Sequence, residues 1–203
     1  MLKSMWFFED DQVRIGRLVV GPLDNNVYIV AAPTGEAMII DAADEAGQIL
    51  DAVAGLTVTA VLTTHGHADH LQAAEAVTMR MGIPFRIHSA DQPLAGIADV
   101  VPIQDHEVIN IGDVCLEAIH TPGHTPGSTC FRLGSHVFSG DTLFPGGPGA
   151  TRFPYSDFDQ IMESLETRLF NLPDATGVYP GHGAFTTIGE ERSSIPEWRA
   201  RRW

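Results

Sequence analysis

Short apolar runs bounded by turn residues make up most of the first third of the chain. Residues 13–20, 26–31 and 37–40 have the length and the β-branched and aliphatic composition of strands. Residues 45–53 have apolar positions at helical spacing, and residues 60–62 return to a short apolar run. A strand, a helix and a second strand of these lengths predict a βαβ unit with parallel strands.

Hairpins and one long helix are predicted for the second half of the chain. Residues 107–119 and 129–139 each consist of two apolar runs separated by a glycine-containing turn, which is the pattern of a β-hairpin. Residues 157–170 carry an apolar stripe at helical spacing, and we expect Ser156 and Asp159 to form a capping box at its start. The remaining predicted elements are a helix over 71–81, a short strand over 84–87, a short helix or loop over 91–99, a strand over 177–179 and a last helical turn over 188–194.

Size, composition and charge limit the classes of protein that fit this sequence. The 203 residues, 44% of them hydrophobic, are enough for one compact core, so we expect a single domain over residues 1–203. The formal net charge of −14 provides no basic surface of the kind that binds nucleic acid, and a nucleic-acid partner is not expected. The oligomeric state is left open between a monomer and a homodimer.

The sequence also bears on the compartment. No apolar run approaches the roughly 20 residues of a membrane span, so no membrane partner is expected. The start of the chain, with apolar residues 5–8 and acidic residues 9–11, is too short and too acidic for a signal peptide. Cys115 and Cys130 are the two cysteines; they form no zinc-type cluster and are expected to be reduced thiols. We therefore predict a cytoplasmic protein.

Three histidines and one aspartate are packed into six positions directly after the apolar run 60–62. They are His65, His67, Asp69 and His70 in the segment TTHGHADH, and imidazole and carboxylate groups bind zinc, iron and manganese. In extended backbone, His65 and His67 leave the same face of the chain and can reach one ion. Asp69 and His70 follow where the chain turns and can hold a second ion. The alternative is a helix start with Asp69 as N-cap and solvated histidines.

Three later residues repeat this arrangement. His124, Asp141 and His182 each come just after a predicted strand, and each lies among glycines or prolines. Four strand ends could converge at one edge of a sheet and supply seven ligands, enough for two metal ions with water completing the coordination. His120 lies four positions before His124 on a strand, and we expect it to support a ligand rather than to bind metal.

The motifs TTHGHADH, HTPGHTPGS, SGDTLF and YPGHG together resemble those of the metallo-β-lactamase fold superfamily, and within it the glyoxalase II-like hydrolases. The resemblance spans most of the chain. It implies an α/β (α+β) fold, the αβ/βα four-layer sandwich, in which two mixed β-sheets pack together with helices outside and metals at one edge. The predicted strands and helices are compatible with that architecture but do not define it on their own.

The resemblance also implies a metal centre and a reaction. The implied ligands fall into three groups: His65, His67 and His124 for a first divalent ion, Asp69, His70 and His182 for a second, and Asp141 as the bridge between them. Zinc is the expected metal, with iron or manganese as alternatives. A catalytic role is assigned to Asp69 and His70. The implied reaction is the cleavage of a small-molecule thioester, such as a hydroxyacyl thiol, by a metal-bound hydroxide.

The chain departs from glyoxalase II in two respects. That family has an additional C-terminal helical domain, for which we expect no room between His182 and the last residue. The loop over residues 145–152, which follows Asp141, also differs from the Gly-x-Gly-Arg segment of the family. This loop is either a plain connection or a substrate-binding segment in which Arg152 reaches an anionic group.

Two other functions are compatible with the same residues. Persulfide dioxygenases of the superfamily retain the motifs and bind one iron through the positions of His65, His124 and Asp141, so a mononuclear-iron oxidoreductase is the first alternative. A purely structural metal site is the second, although structural zinc sites are usually closed and rich in cysteine. Metal content and activity assays separate the three functions.

Overall fold

The computed structural model describes residues 5–202 and contains two mixed β-sheets that pack face to face. The first sheet has seven strands in the order of the chain: β1 Trp6–Glu9, β2 Arg14–Val20, β3 Asn25–Ala31, β4 Glu36–Ile40, β5 Thr57–Leu62, β6 Phe85–His88 and β7 Val100–Ile103. Neighbours from β1 to β4 are antiparallel, and neighbours from β4 to β7 are parallel. The pairing changes because short turns join the early strands, whereas helical crossovers join the later ones.

The second sheet is formed by the later part of the chain. Its strands are β8 Val108–Ile111, β9 Val114–His120, β10 Thr129–Leu133, β11 His136–Gly140, β14 Gly177–Pro180 and β15 Thr186–Thr187, and a separate ladder joins β12 Leu143–Phe144 to β13 Gly147–Pro148. The six strands lie in the order β15, β14, β11, β10, β9, β8. The pair β11 and β14 is parallel, since a helical crossover connects these two strands.

Helices cover the outer faces of both sheets. The α-helices of the described residues are α1 Ala46–Ala52, α2 Ala74–Met81, α3 Gln92–Ala95, α4 Phe158–Ser164, α5 Ile188–Arg192 and α6 Ile195–Arg201. The apolar sides of α1 and α2 pack on the first sheet, and those of α4 and α6 pack on the second. The result is the αβ/βα four-layer sandwich that the motifs imply, and this expectation is confirmed.

The alternation of side chains along the strands produces the layers. In β3, Tyr28 and Val30 point into the core between the two sheets, where they meet residues of the second sheet such as Phe138. Val27 and Ile29 point the other way, into the core under α1 and α2. Successive side chains of a strand leave opposite faces, so a strand that is apolar at every position must be covered on both sides.

The predicted βαβ unit and both hairpins are present, but both edge strands of the first sheet and the two-residue strands β12, β13 and β15 escaped prediction. The parallel pairing of β4 with β5 across α1 confirms the βαβ unit. The antiparallel pairs β8–β9 and β10–β11 confirm the hairpins. No strand is expected from the sequence at β1 or at β7, the first and last strands of the first sheet. An edge strand is paired and buried on fewer sides, so its pattern is weaker.

The helix predicted over residues 157–170 is present, but its start and its second half differ from expectation. The predicted capping box of Ser156 and Asp159 is wrong. The N-cap is Asp157, whose side chain accepts a hydrogen bond from the backbone N–H of Gln160. After α4 the chain continues as a π-helical segment, Leu165–Leu169. The Ser156 hydroxyl is used elsewhere, in the site described below.

The exposure of the two cysteines and the lengths of the helices can be read from the structure. Cys115 is exposed and Cys130 is buried, and both are free thiols. Burial raises the pKa of the Cys130 thiol to about 11, so this group is chemically inert at neutral pH. Within residues 5–202, no helix has both the length and the apolar character needed to cross a membrane.

Candidate metal centre

The carboxyl ends of five strands, drawn from both sheets, meet at one edge of the sandwich. Asp41 follows β4, His65 follows β5, His124 follows β9, Asp141 follows β11 and His182 follows β14. All seven residues expected as ligands come together there. Loops at one edge of a rigid scaffold are where binding groups are commonly placed, because the strands fix the loop ends.

Three histidines form the first group of candidate ligands. The Nδ1 atom of His67 lies 3.1 Å from Nε2 of His65 and 3.0 Å from Nε2 of His124. His65 and His124 are buried, whereas His67 is partly accessible at the mouth of the site. One ion could therefore reach a nitrogen of each ring from the open side.

The second group lies beside the first and shares a carboxylate with it. The Nε2 atom of His182 is 3.2 Å from Nε2 of His70 and 3.2 Å from Oδ2 of Asp69. Asp141 stands between the groups, with Oδ1 at 3.4 Å from Nε2 of His70 and Oδ2 at 3.7 Å from Nε2 of His124. The Oδ2 atom also lies 3.8 Å from Nε2 of His182, so the Asp141 carboxylate is in contact with both groups, as a bridging ligand requires.

The hydrogen bonds on the far side of each ring show which nitrogen is available to a metal. The Nδ1–H groups of His124 and His182 donate to the carbonyl oxygens of Ala150 and Leu23, at 2.8 Å and 3.0 Å. A carbonyl oxygen can only accept, so each ring carries its hydrogen on Nδ1 and presents the Nε2 lone pair to the centre. Backbone groups therefore hold both rings in the orientation and tautomer that a metal ligand needs.

Asp41 fixes two further imidazole rings by hydrogen bonds to the side that faces away from the centre. The sequence patterns did not identify this residue. Its carboxylate accepts hydrogen bonds from the backbone N–H and the hydroxyl of Thr64, at 2.7 Å and 2.8 Å, and from Nδ1 of His70 at 3.0 Å. Because the Thr64 hydroxyl donates to Asp41, it accepts from Nδ1–H of His65 at 3.0 Å. Asp41 thereby orients one imidazole of each group. A polar residue at a buried strand end, with the positive φ of 57°, is the local sign of this role.

The donor set fits divalent metal ions. Besides the 3.2 Å approach of Nε2 of His70 to Nε2 of His182, Oδ1 of Asp141 and Oδ2 of Asp69 lie 3.4 Å and 3.6 Å from Nε2 of His70, so imidazole nitrogens and carboxylate oxygens converge there. The Oδ1 atom of Asp141 is buried and accepts no hydrogen bond from the described residues. A buried carboxylate oxygen without a partner is costly, and a metal ion supplies the missing partner. Imidazole nitrogen with carboxylate oxygen suits zinc, iron or manganese.

Electrostatics at the centre also favours positive charge. Burial and the neighbouring imidazoles hold the pKa of His65 well below its usual value, and burial with a neighbouring imidazole lowers the pKa of His67 to about 4, so both rings are neutral. Burial acts in the same direction on His70, but the Asp141 carboxylate and other acids outweigh it and raise the pKa of that ring to about 9. For Asp69, burial is outweighed by hydrogen bonds and nearby imidazoles, which keep its pKa well below the usual range.

The start of α4 fixes the loop that carries His124. The backbone N–H of Asp157 donates to the carbonyl of Gly123 at 2.8 Å, and the Ser156 hydroxyl donates to the carbonyl of His124 at 2.7 Å. Further along the helix, the Ser164 hydroxyl donates to the carbonyl of Pro122 at 2.7 Å. These bonds tie three successive carbonyls of the loop to one helix.

The mouth of the centre is lined by two exposed aromatic side chains. The Tyr155 hydroxyl lies 2.8 Å from Nε2 of His67, and the rings of Phe153 and Tyr155 stack with centroids 5.4 Å apart. Arg152, expected as a substrate-binding residue, is exposed and contacts the ring of Phe153 at 5.9 Å. The role expected for Arg152 stays a prediction.

His120 does not touch a candidate ligand side chain. Its Nε2–H donates to the carbonyl of Pro126 at 2.9 Å, and its ring stacks on His88 with centroids 4.0 Å apart. Any support that it gives to His124 therefore passes through the backbone of the loop. The expectation of a supporting role holds only in this indirect sense.

Fold and donor set together define a class, the αβ/βα sandwich proteins with a His/Asp centre for divalent metal ions at one edge of the sheets. Residues 20–182 match the Metallo-beta-lactamase superfamily, and the chain belongs to that superfamily. The family expected from the motifs is thereby confirmed.

Similar proteins include a glyoxalase II-type enzyme and two proteins of known structure. The hydroxyacylglutathione hydrolase GloC of Haemophilus influenzae is 33% identical over 199 residues, which cover 87% of this chain and 94% of that protein. The structure of TTHA1623 in a di-iron-bound form is 34% identical with a TM-score of 0.79, and the match covers 89% of this chain and 98% of that one. ETHE1 from Myxococcus xanthus is 32% identical with a TM-score of 0.79, over 90% of this chain and 83% of that one.

Proposed function

We propose that this protein is a metal-dependent hydrolase that uses two divalent ions, preferably zinc, to cleave a small-molecule thioester. The observation that carries the proposal is the pair of convergent ligand groups on either side of Asp141. The first ion would be held by His65, His67 and His124, and the second by Asp69, His70 and His182. A purely structural site would be closed, whereas His67 and Asp69 leave this centre accessible from one side.

The chain's own residues are suited to hydrolysis. Bound divalent ions lower the pKa of a coordinated water to about 7 and polarise a carbonyl group, so no protein nucleophile is needed. Asn25 donates to Oδ2 of Asp69 at 3.0 Å, which fixes that carboxylate at the accessible side of the centre. Asp69 would take part by holding the second ion with this fixed carboxylate. His70 takes part by holding the second ion in place, since its far nitrogen is fixed on Asp41.

A cleft beside the centre is suited to a small acyl compound. It has a volume of about 450 Å³ and lies along the loop from Phe144 to Arg152. Its lining includes Phe144, whose ring stacks on His182 with centroids 6.4 Å apart, and the exposed Arg152. A mostly apolar cleft with one cation in its lining fits a thioester whose acyl or thiol part carries a carboxylate. The similarity to GloC, which is named for hydroxyacylglutathione hydrolysis, supports the same substrate class.

A second candidate is a mononuclear-iron dioxygenase acting on a persulfide. It is favoured by the similarity to ETHE1 over most of both chains. The structure of TTHA1623 supports iron as the metal, although that protein holds two iron ions. His65, His124 and Asp141 would hold the iron, and they belong to the same convergent set. The two candidates differ in metal content, in substrate and in the need for oxygen.

The decisive experiment measures metal and activity on one sample. The protein is purified without added metal, its metals are quantified, and hydrolysis of S-lactoylglutathione is assayed. We expect close to two ions per chain. The hydrolysis rate of the His67→Ala variant should fall by more than about 100-fold, because loss of a group that only hydrogen-bonds a metal ligand already costs about 10–100-fold. His106→Ala is the matched control, because this exposed histidine pairs only with surface side chains and lies outside the centre.

Two results of this experiment would contradict the hydrolase proposal or the assay itself. One iron per chain, no thioester cleavage and oxygen uptake with glutathione persulfide would overturn the hydrolase and establish the dioxygenase. Equal loss of activity in the His67 and His106 variants would show that the assay follows general damage to the protein rather than the metal centre.

A further inference from the structure

Asp91 is a buried carboxylate that belongs to neither ligand group. It is the last residue of a short 3-10 turn, Ser89–Asp91, between β6 and α3, in a segment for which the sequence predicted only a short helix or a loop. Its side chain is fully buried. Burial of a carboxylate is costly unless several donors satisfy it, so the groups around Asp91 show what it does.

The Asp91 carboxylate connects the two loops that carry the first ligand group. Its Oδ2 atom accepts from the backbone N–H of Gly66 at 2.8 Å and from the Thr125 hydroxyl at 2.6 Å. Its Oδ1 atom accepts from the backbone N–H of Gly127 at 2.6 Å. Gly66 lies between His65 and His67, and Thr125 directly follows His124 in the sequence.

The contact is close and has little freedom. A Cβ atom on Gly127 would lie 2.7 Å from Cγ of Asp91, so this loop reaches the carboxylate only because residue 127 has no side chain. The Thr125 hydroxyl also receives a hydrogen bond from the Ser128 hydroxyl at 2.7 Å, and Oγ of Ser128 in turn accepts from the backbone N–H of Thr125 at 3.1 Å. The bend of the loop and its distance from Asp91 are therefore set together.

We propose that Asp91 is a positioning residue that sets the geometry of the first metal site by joining the His65–His67 loop to the His124 loop. The inference rests on the proposed metal centre but not on the proposed substrate. The second ligand group is held by other residues, since Asn25 bonds Asp69 and Asp41 bonds His70. Loss of the Asp91 contacts should therefore weaken one metal site more than the other.

The Asp91→Asn variant isolates these contacts, because it keeps the shape of the side chain. If the amide oxygen replaces Oδ2, the NH₂ group faces the N–H of Gly127; if it replaces Oδ1, the NH₂ group faces the N–H of Gly66. Either orientation sets one donor against another. Groups of this kind typically change metal affinity by 10–100-fold when they are removed, and we expect a change of that size at one of the two sites.

The measurement is zinc retention against a competing chelator, made on protein whose folding is checked by circular dichroism and thermal unfolding. We expect wild-type protein to retain two ions and Asp91→Asn to retain close to one at chelator concentrations that leave the wild type loaded. Thr125→Val should show a smaller loss in the same direction, and Thr125→Ser, which keeps the hydroxyl, should recover most of it. Asp99→Asn is the matched control, an exposed carboxylate in the same connection.

Two results would overturn the inference. The first is retention of both ions by Asp91→Asn and by Thr125→Val, with affinities equal to those of wild type. The second is an equal loss from both sites that Thr125→Ser does not recover, which would mark Asp91 as a group needed only for folding. The measurement follows bound metal and not activity, so it tests the role of Asp91 whatever the substrate is. A protein that binds two ions but does not cleave thioesters would refute only the proposed substrate.

Discussion

Gly123 is a position at which a single methyl group should damage the metal centre through the loop that carries His124. This residue precedes His124 and has a φ of +137°, a conformation that side-chain-bearing residues rarely adopt. A Cβ atom built on it would lie 2.3 Å from the backbone nitrogen of Ile161 and 2.5 Å from the Cα atom of the same residue. Both obstacles are backbone atoms of α4, so no side-chain rotation can remove the clash.

The size of the effect follows from these distances. Ordinary contact of a Cβ atom begins near 3.4 Å, so the Gly123→Ala variant must separate the loop from α4 by about 1 Å. The adjoining His124 moves with the loop, and a displacement of about 1 Å in a catalytic arrangement can reduce the rate by about 100-fold, or about 2.7 kcal/mol in the activation barrier. We expect this loss in kcat/KM together with weaker zinc binding.

Gly134→Ala is the matched control for this prediction. Gly134 also has a positive φ, +55°, but a Cβ atom there meets nothing within 4 Å. It should therefore show the conformational cost of the left-handed region, about 1–2 kcal/mol, without moving a ligand. Urea unfolding, zinc content and thioester hydrolysis are measured on both variants. The reasoning is refuted if Gly123→Ala binds zinc and turns over substrate like wild type, or if the two variants lose activity equally.

Three further predictions concern the support of the centre and the outer layer. Asp41→Asn should weaken zinc binding by about 10–100-fold, because an amide oxygen that accepts from the Thr64 hydroxyl and from His70 leaves the NH₂ group facing the backbone N–H of Thr64; unchanged affinity in a chelator competition would contradict this. Removal of metal by a chelator should lower the thermal midpoint, and zinc should restore it, since an ion at 100 times its Kd stabilises by about 2.7 kcal/mol; a midpoint independent of zinc would argue against a folded-state site. Gly47→Ala should raise the free energy of unfolding by about 0.5–1 kcal/mol, because Gly47 lies in α1 with open space around it; a loss of stability would show that the helix start is strained.

The candidate ligands could be predicted from the sequence because their signal is local. Each metal-binding residue type stands directly after an apolar run, and four of them fall within His65 to His70. A short buried strand followed by such residues places them at a sheet edge whatever the order of the strands. The convergence of all seven residues at one edge of the sheets was a hypothesis from the sequence, and in the structure their side chains lie together at that edge.

The residues that hold the ligands in place could not be predicted in this way. Asp41 acts on a threonine 23 positions later, and Asp91 acts on Thr125, 34 positions later. A single aspartate in a loop or at a strand end has many possible roles, and only its partner in space distinguishes them. Tyr155 is a similar case, since its contact with His67 spans 88 positions.

The edges of the first sheet show the same limit for the fold. β1 is too short and too exposed to produce a clear alternation, and β7 contains Pro102, which is unusual inside a strand. Both strands form because a neighbouring strand offers unpaired backbone groups, which is a property of the assembled sheet. In α4, similarly, three polar residues compete at the helix start, and the use of Ser156 on the His124 carbonyl leaves Asp157 as the cap.

From the linear order of residues alone come the strand and helix pattern, the acidic and non-basic character of the chain, and the set of imidazoles and carboxylates that can bind metal. These follow from periodicity and residue chemistry, which act over a few neighbouring positions. The tertiary structure adds the distances that bring the ligands together around Asp141, the ring nitrogens that His124 and His182 present, and the carboxylates that fix the loops. These depend on distances between segments far apart in the chain, and only the packing of the two sheets sets those distances.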